Sequence, residues 1–414
     1  MRPLAYVTAH PLPIGPIVPQ PEGVAWMKAA LERRSAGSPE ASRARRLYDL
    51  LGRQSTVEAR ATALEDYTHQ DWERMELFSA PSAGDGQSGP ARDWAAPALE
   101  ERMAVFDRTA LRVAREAFAG DDVAPDWIAQ VSCTGYRSPS AVQRVALEKG
   151  WAEDSRLLHI GHMGCYAALP ALATAADAVA ALAARRAASG AQASGAQASG
   201  AAVTASGAAD PPAPDAHAAV LLAEMCTLHH RVDATEPEVV VQQCLFADGA
   251  ARLDVTAQPP PPEADGARPF ALLDHHEALV PDTLDEMTWG LADGAFAMTL
   301  SRRVPDHIRA GVGAVVDGFL GRHGLTTGDV AIAAIHPGGP RVIEATAEAL
   351  GFSDEQTRHS RAVLRDRGNM SSTTLPHIWD RIARDAGVGA GDLVLSLAFG
   401  PGLTIAANLL RVGG

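Results

Sequence analysis

Short apolar runs alternate along this chain with longer stretches whose apolar positions recur every three or four residues. Runs of four to eight suit strands buried on both faces, and the 3.6-residue period suits amphipathic helices. The pattern predicts strands at Trp127–Ser132, Ala218–Glu224 and Val239–Leu245, then at Phe270–Leu273, Val330–Ile335 and Leu393–Phe399. Helices are predicted over Ala104–Ala119, Ser140–Lys149, Arg341–Leu350, Gln356–Arg367 and Thr374–Asp385. Gly351 follows one of these, where a helix ends most easily on a residue free to turn left-handed. Strands interleaved with helices predict an α/β protein built in layers. A Pro-rich joint at 258–269, QPPPPEADGARP, separates two stretches of similar make-up and predicts two packed halves, 1–257 and 258–414.

Two segments fall outside this alternation. Residues 187–215 repeat ASGAQ and then run through Ala, Gly and Pro, a composition that buries no core, so a solvated surface insertion is expected. The apolar stretch from Cys165 to Ala184 is interrupted by Pro170 and Asp177, which favours a buried helix over a membrane span. The N-terminal residues lack a basic region followed by an apolar core, so no signal peptide is expected.

Composition narrows the function classes. Only 5% of residues are aromatic and alanine is abundant, so the core is expected to be aliphatic and small. The formal net charge of −14 gives no general attraction for nucleic acid or anionic membranes. Four scattered cysteines make no disulfide framework and no CxxC zinc site, and they suit a reducing, cytoplasmic setting. The pairs His229-His230 and His275-His276 are not read as metal ligands, because neighbours on a strand face opposite ways.

Four motifs can carry chemistry. Cys165 lies in GHMGCYAAL, after the apolar run Leu157–Ile160 and directly before an alanine-rich helix. There, unpaired N–H groups and the helix dipole favour a thiolate, although a buried inert cysteine is the blander reading. His336 ends a strand and opens the turn HPGGP, which projects it into the loop face. Asn369, in RGNMSS, sits at a helix–helix junction, where a plain turn asparagine is the alternative. Gly400-Pro401-Gly402 closes an apolar strand in a turn that by itself reads as an ordinary hairpin.

Taken together and in this order, GHMGCYAALPAL, HPGGP, GNMSS and FGPGLT resemble the signature segments of the type III polyketide synthases, and CTGYRSPS and LFADGAARL are also similar to segments of that family. The resemblance runs from about residue 100 to the C-terminus and implies a thiolase-like α-β-α-β-α sandwich of two related halves. It implies that Cys165 is the nucleophile, that His336 holds its thiolate as an ion pair, and that His336 and Asn369 bind the extender's thioester oxygen. It also implies substrates that are acyl-CoA and malonyl-CoA or carrier-protein thioesters, with no cofactor and no metal. A homodimer is implied, with an acyl carrier protein as a possible partner and the segment Cys133–Pro139 approaching the partner's cavity.

The same comparison places Thr134, His230, Met298, Gly400, Pro401 and Gly402 in the substrate pocket and Arg60 at the CoA entrance. His230 and Met298 stand where gating phenylalanines are expected, so an aliphatic or β-ketoacyl starter and an α-pyrone-type product are implied. Ketoacyl synthase III-like and chain-interlinking enzymes remain alternatives. Outside the condensing class stand a Cys-His-Asn thioester hydrolase and a non-catalytic thiolase-fold partner subunit.

Overall fold

The computed structural model describes residues 1–35, 37–79, 97–197, 216–260, 266–292 and 294–414. The first half contains β1 (Ala5–Leu12), β2 (Ile17–Pro19), α1 (Gln20–Ser35), α2 (Pro39–Gln54), β3 (Ala59–Ala61) and α3 (Leu99–Ala117). It continues with β4 (Trp127–Ser132), α4 (Ala141–Glu148), β5 (Arg156–Gly161), α5 (Ala168–Gln197), β6 (His217–Met225), α6 (Pro237–Leu245) and β7 (Asp248–Thr256). The second half begins with β8 (Phe270–Leu279), β9 (Met287–Ala292), β10 (Ala295–Leu300) and α7 (Val304–Gly321). It ends with β11 (Ile332–Ile335), α8 (Pro340–Leu350), α9 (Asp354–Arg367), α10 (Thr374–Ala383), β12 (Leu393–Gly400) and β13 (Thr404–Val412).

Nine strands join in the order β11-β12-β13-β8-β1-β7-β6-β4-β5, with the two halves meeting where β1 pairs with β8. Read outward from that seam, both halves have the same plan. β1 and β8 each run antiparallel to the near strand of an antiparallel pair, β7–β6 or β13–β12, and the pair's far strand runs parallel to β4 or β11.

Side-chain alternation turns this pairing into layers. Ala129, Val131, Val220 and Leu222 of the first half face inward with Ala334, Val394, Ala406 and Leu410 of the second. Between them lie α5 and α10, including Leu172, Val179, Ile378 and Trp379. The opposite faces are covered separately: Ile128, Ala219 and Leu221 by α1 to α4, and Ala333, Leu395 and Leu409 by α7 and α8. The chain is thus a layered α/β protein, as the strand–helix pattern predicted, and the α-β-α-β-α sandwich that the resemblance implied.

Most predicted elements are present, and α4 and α9 open on the capping boxes Ser140/Gln143 and Ser353/Gln356. Val239–Leu245 is a correction: it is helix, not strand. Pro237 occupies its first turn, and Val240, Gln243 and Cys244 bury one face against α2 at helical spacing. That tertiary burial outweighs the strand preference of three successive valines. The start of the expected insertion is solvated, with residues 187–189 exposed, and α5 continues through Gln197; residues 198–215 lie outside the described residues. Ala168–Ser189 is long and apolar enough to cross a membrane by composition, yet its first three turns form the centre of the middle layer.

Candidate active site

Cys165 lies in the turn between β5 and α5. Gly164 has φ 85°, and a Cβ there would stand 2.8 Å from Cδ of Pro401, so only glycine lets the 400–402 turn lean on the cysteine. His162, with φ 61°, and Ser371, with φ 52°, also occupy the left-handed region that non-glycine residues avoid. Such conformations persist where surrounding packing imposes them and gather at functional sites.

The second half approaches the same turn through two connections. His336 follows β11 and heads the turn into α8, with the Gly338 N–H donating to the His336 carbonyl at 3.1 Å. Gly368 closes α9 with φ 75°, and Asn369 then clips the halves together. Its N–H donates to Leu245 O at 2.9 Å, and its carbonyl accepts from Ala247 N–H at 2.8 Å. The Asn369 side-chain oxygen accepts Ser371 N–H at 2.9 Å, which leaves its amide N–H₂ aimed at Gly338 O, 3.5 Å away. The Ser371 hydroxyl bonds Cys133 Sγ at 3.3 Å and also the Cys165 thiol. Cys165, Ser371, Asn369 and the His336–Gly339 turn therefore form one connected group. His336 is buried, and neither ring nitrogen has a partner among the described residues.

A cavity of about 110 Å³ opens on Cys165. Thr134, His230, Met298 and Pro401 line it as expected, whereas Gly400 and Gly402 shape the turn behind Pro401. A Cβ on Gly400 would fall 2.1 Å from the Tyr166 ring. Phe246, Trp289 and Phe296 also line the cavity. His230 and Met298 thus stand at the wall without a gating phenylalanine of their own, while the β9–β10 hairpin and the residue after α6 supply aromatic rings from other positions. A second cavity, about 470 Å³, is lined by Gly338, Gly339, Leu300, Arg302, Arg341 and Thr56. Gln242 borders both cavities.

Arg60 is not an entrance residue. It is buried, its guanidinium donates to the carbonyls of Gln243 and Phe246, and it borders neither cavity. Glu224, which belongs to none of the four motifs, is fully buried. Its carboxylate accepts from Cys133 N–H at 3.0 Å and from the Thr134 hydroxyl at 2.9 Å, while the Ser372 hydroxyl binds its other oxygen. An acidic residue inside the apolar run AVLLAEM was its only sequence signal.

Burial acts against a thiolate at Cys165. Burial pushes the Cys165 thiol up to about 12; the Ser371 hydrogen bond opposes this, and the Glu224 charge adds to it. Burial pushes His336 down to about 3. Helix α5 starts three residues beyond Cys165, and desolvation outweighs its dipole. Burial thus favours the neutral form of both the Cys165 thiol and the His336 imidazole. Because the thiol's pKa is raised, the protonated form dominates at neutral pH. Alkylation of Cys165 by iodoacetamide is expected to accelerate about tenfold per pH unit from pH 7 to 10. A rate that levels off below pH 8, followed by peptide mass mapping, would instead show a preformed ion pair.

Residues 272–413 match the profile of the chalcone and stilbene synthases, C-terminal domain. A 3,5-dihydroxyphenylacetyl-CoA synthase from Streptomyces toyocaensis is 32% identical over 201 residues, which are 47% of this chain and 50% of that protein. An alpha-pyrone synthesis polyketide synthase-like Pks18 from Mycobacterium tuberculosis is 28% identical over 67% of this chain and 63% of its own length. The aligned part of the chain therefore spans between half and two thirds of these curated relatives. The crystal structure of 1,3,6,8-tetrahydroxynaphthalene synthase from Streptomyces coelicolor, a bacterial type III polyketide synthase, superimposes with a TM-score of 0.72 at 21% identity, covering 99% of each chain.

Proposed function

Since residues 272–413 belong to the C-terminal domain family of the chalcone and stilbene synthases, and the chain has the fold of a type III polyketide synthase, we propose that this protein is a type III polyketide synthase. It is an acyltransferase that condenses an acyl-CoA starter with malonyl-CoA. One observation carries the reading. A buried imidazole with both nitrogens unpaired, His336, shares a connected group with an asparagine amide and a cavity-facing thiol. An imidazole in that position costs free energy unless a ligand bonds it.

In this mechanism Cys165 Sγ attacks the starter's thioester carbonyl while His336 takes the thiol proton. The C–S bond to CoA breaks, CoA leaves with that proton, and the acyl group stays on Cys165. Malonyl-CoA then loses CO₂, and the electron pair of the broken C–C bond moves into an enolate. Its oxygen accepts hydrogen bonds from His336 and the Asn369 amide, in a site where water does not compete. The enolate carbon attacks the Cys165 thioester, a C–C bond forms, the C–S bond breaks, and the departing Cys165 thiolate takes a proton from solvent to restore the thiol. Loss of CO₂ supplies the carbanion, so this chemistry calls for no metal or redox cofactor.

The pantetheine arm of CoA fits the larger cavity, where Arg302 and Arg341 suit its phosphates, and the acyl end enters the smaller one. A cavity of about 110 Å³ suits a short starter and few extensions, with an α-pyrone as the product class. A homodimer belongs to the same reading: β5 is an edge strand with Leu158 41% exposed, an open row of backbone groups suited to a second copy.

The test is intact-protein mass spectrometry after incubation with a series of acetyl- to hexanoyl-CoA, with and without malonyl-CoA, and native mass measurement of the same sample. The expected result is one acyl adduct per chain, removed by malonyl-CoA as a longer or cyclised product, and a dimer mass. An adduct that hydrolyses while malonyl-CoA stays intact would put a thioester hydrolase in its place. Absence of adduct and of malonyl turnover would leave a non-catalytic subunit.

A further inference from the structure

His230 and His229 both border the Cys165 cavity, but their hydrogen bonding differs. His229 is satisfied on both sides. Its Nδ1 accepts Phe296 N–H at 3.1 Å, so its Nε2–H donates to Thr134 O at 2.7 Å, and its ring stacks on Phe296 at 4.5 Å. His230 is 5% exposed and bonded at Nδ1 alone, to the Tyr67 hydroxyl at 3.1 Å. Its Nε2 is buried without a partner among the described residues.

The Tyr67 hydroxyl settles which nitrogen carries the proton. That hydroxyl lies 3.0 Å from the carbonyl of Thr227, a group that can only accept, and it has one hydrogen to give. Both contacts are made only if Tyr67 donates to Thr227 and His230 Nδ1–H donates to Tyr67. The reverse assignment keeps one bond and loses the other. His230 is held neutral by burial and by the nearby cations Arg60 and Arg102. Its Nε2 is thus an unprotonated acceptor.

We propose that His230 Nε2 is a specificity-determining acceptor for a hydroxyl on the ligand occupying the Cys165 cavity, an enol or phenol O–H rather than a ketone oxygen. A buried lone pair without a partner disfavours an occupant that brings only carbonyls and methylenes, and favours one that brings an O–H. The aromatic wall of Trp289, Phe296 and Phe246 suits a flat, conjugated ligand of that kind. For the proposed condensing reaction, on which the biological meaning of this inference rests, the site would select the enol tautomer of a poly-β-keto chain or a hydroxylated acyl group. Tyr67 acts through His230 and is a positioning residue.

Binding of the small pair phenol and toluene to the full-length chain, measured by calorimetry, tests this without any turnover. The readout is the ratio of their affinities. Relative to wild type, the phenol preference is expected to fall on the order of 5- to 10-fold in His230→Phe, which removes the acceptor and keeps a flat ring. Tyr67→Phe frees the tautomer and is expected to give a smaller loss of the same sign, while toluene affinity stays unchanged. His230→Gln, whose amide oxygen accepts, is expected to restore most of the preference. An unchanged ratio in His230→Phe and Tyr67→Phe would overturn the proposal, as would failure of wild type to bind phenol more tightly than the variants. Acyl loading of Cys165 is read separately, so failure here is distinguishable from failure of the condensing reading.

Discussion

Cys165→Ala is expected to abolish the acyl adduct and lower product formation on the order of 10⁴-fold or more, while malonyl-CoA still loses CO₂ at a measurable rate. The nucleophile acts in loading and in carbon–carbon bond formation, and removing such a group typically leaves only the background of binding and oxyanion stabilisation. In this division of labour decarboxylation draws on different atoms, the His336 ring, whose nitrogens have no partner among the described residues, and the Asn369 amide, which is held by Ser371 N–H and lies near Gly338 O. Side-by-side measurement of CO₂ release and product formation separates the two steps. A variant that keeps product formation, or that loses both activities in parallel, would contradict the division of labour.

The complementary prediction concerns the donors. His336→Ala and Asn369→Asp are each expected to reduce malonyl-CoA decarboxylation on the order of 10²- to 10³-fold, the range for losing one preorganised donor at a developing oxyanion. Aspartate is chosen over alanine because its oxygen can still accept Ser371 N–H, the bond that holds the strained turn next to Cys165. What it removes is the amide donor. The double variant should lose less than the product of the two single effects, since both groups serve one oxygen. Acyl loading should survive in Asn369→Asp and fall in His336→Ala, where the proton acceptor is also gone. Equal loss of loading in both variants would count against separate roles.

Much of the layer structure was legible in the chain. A strand buried on both faces, such as Ile332–Ile335, reads as an unbroken apolar run. A helix with one buried face, such as α8, reads as a period of three to four closed by Gly351. These signals are local, because each residue's burial follows from its place in its own element. Val239–Leu245 misled for the same reason, since its type was decided by a neighbour, α2, nearly two hundred positions away. The candidate nucleophile and its companions were legible through their turns: a glycine that must approach Pro401, a glycine ending α9, a proline opening α8.

The protonation states and the shape of the cavity were not legible, because solvation and hydrogen bonding depend on residues far apart in sequence. Cys165 is kept neutral by burial, with Ser371 and Glu224 reaching it from other elements. Arg60 was expected at the CoA entrance and is instead committed to carbonyls at the C-terminal end of α6, those of Gln243 and Phe246. The His230 tautomer depends on a tyrosine 163 positions earlier. By itself the sequence determined which residue types stand at the turns and which faces are apolar, because periodicity and turn chemistry act over a few residues. Only the tertiary structure decided which of those groups lose water, which find partners, and which are left, like His336 and His230 Nε2, buried with no partner among the described residues.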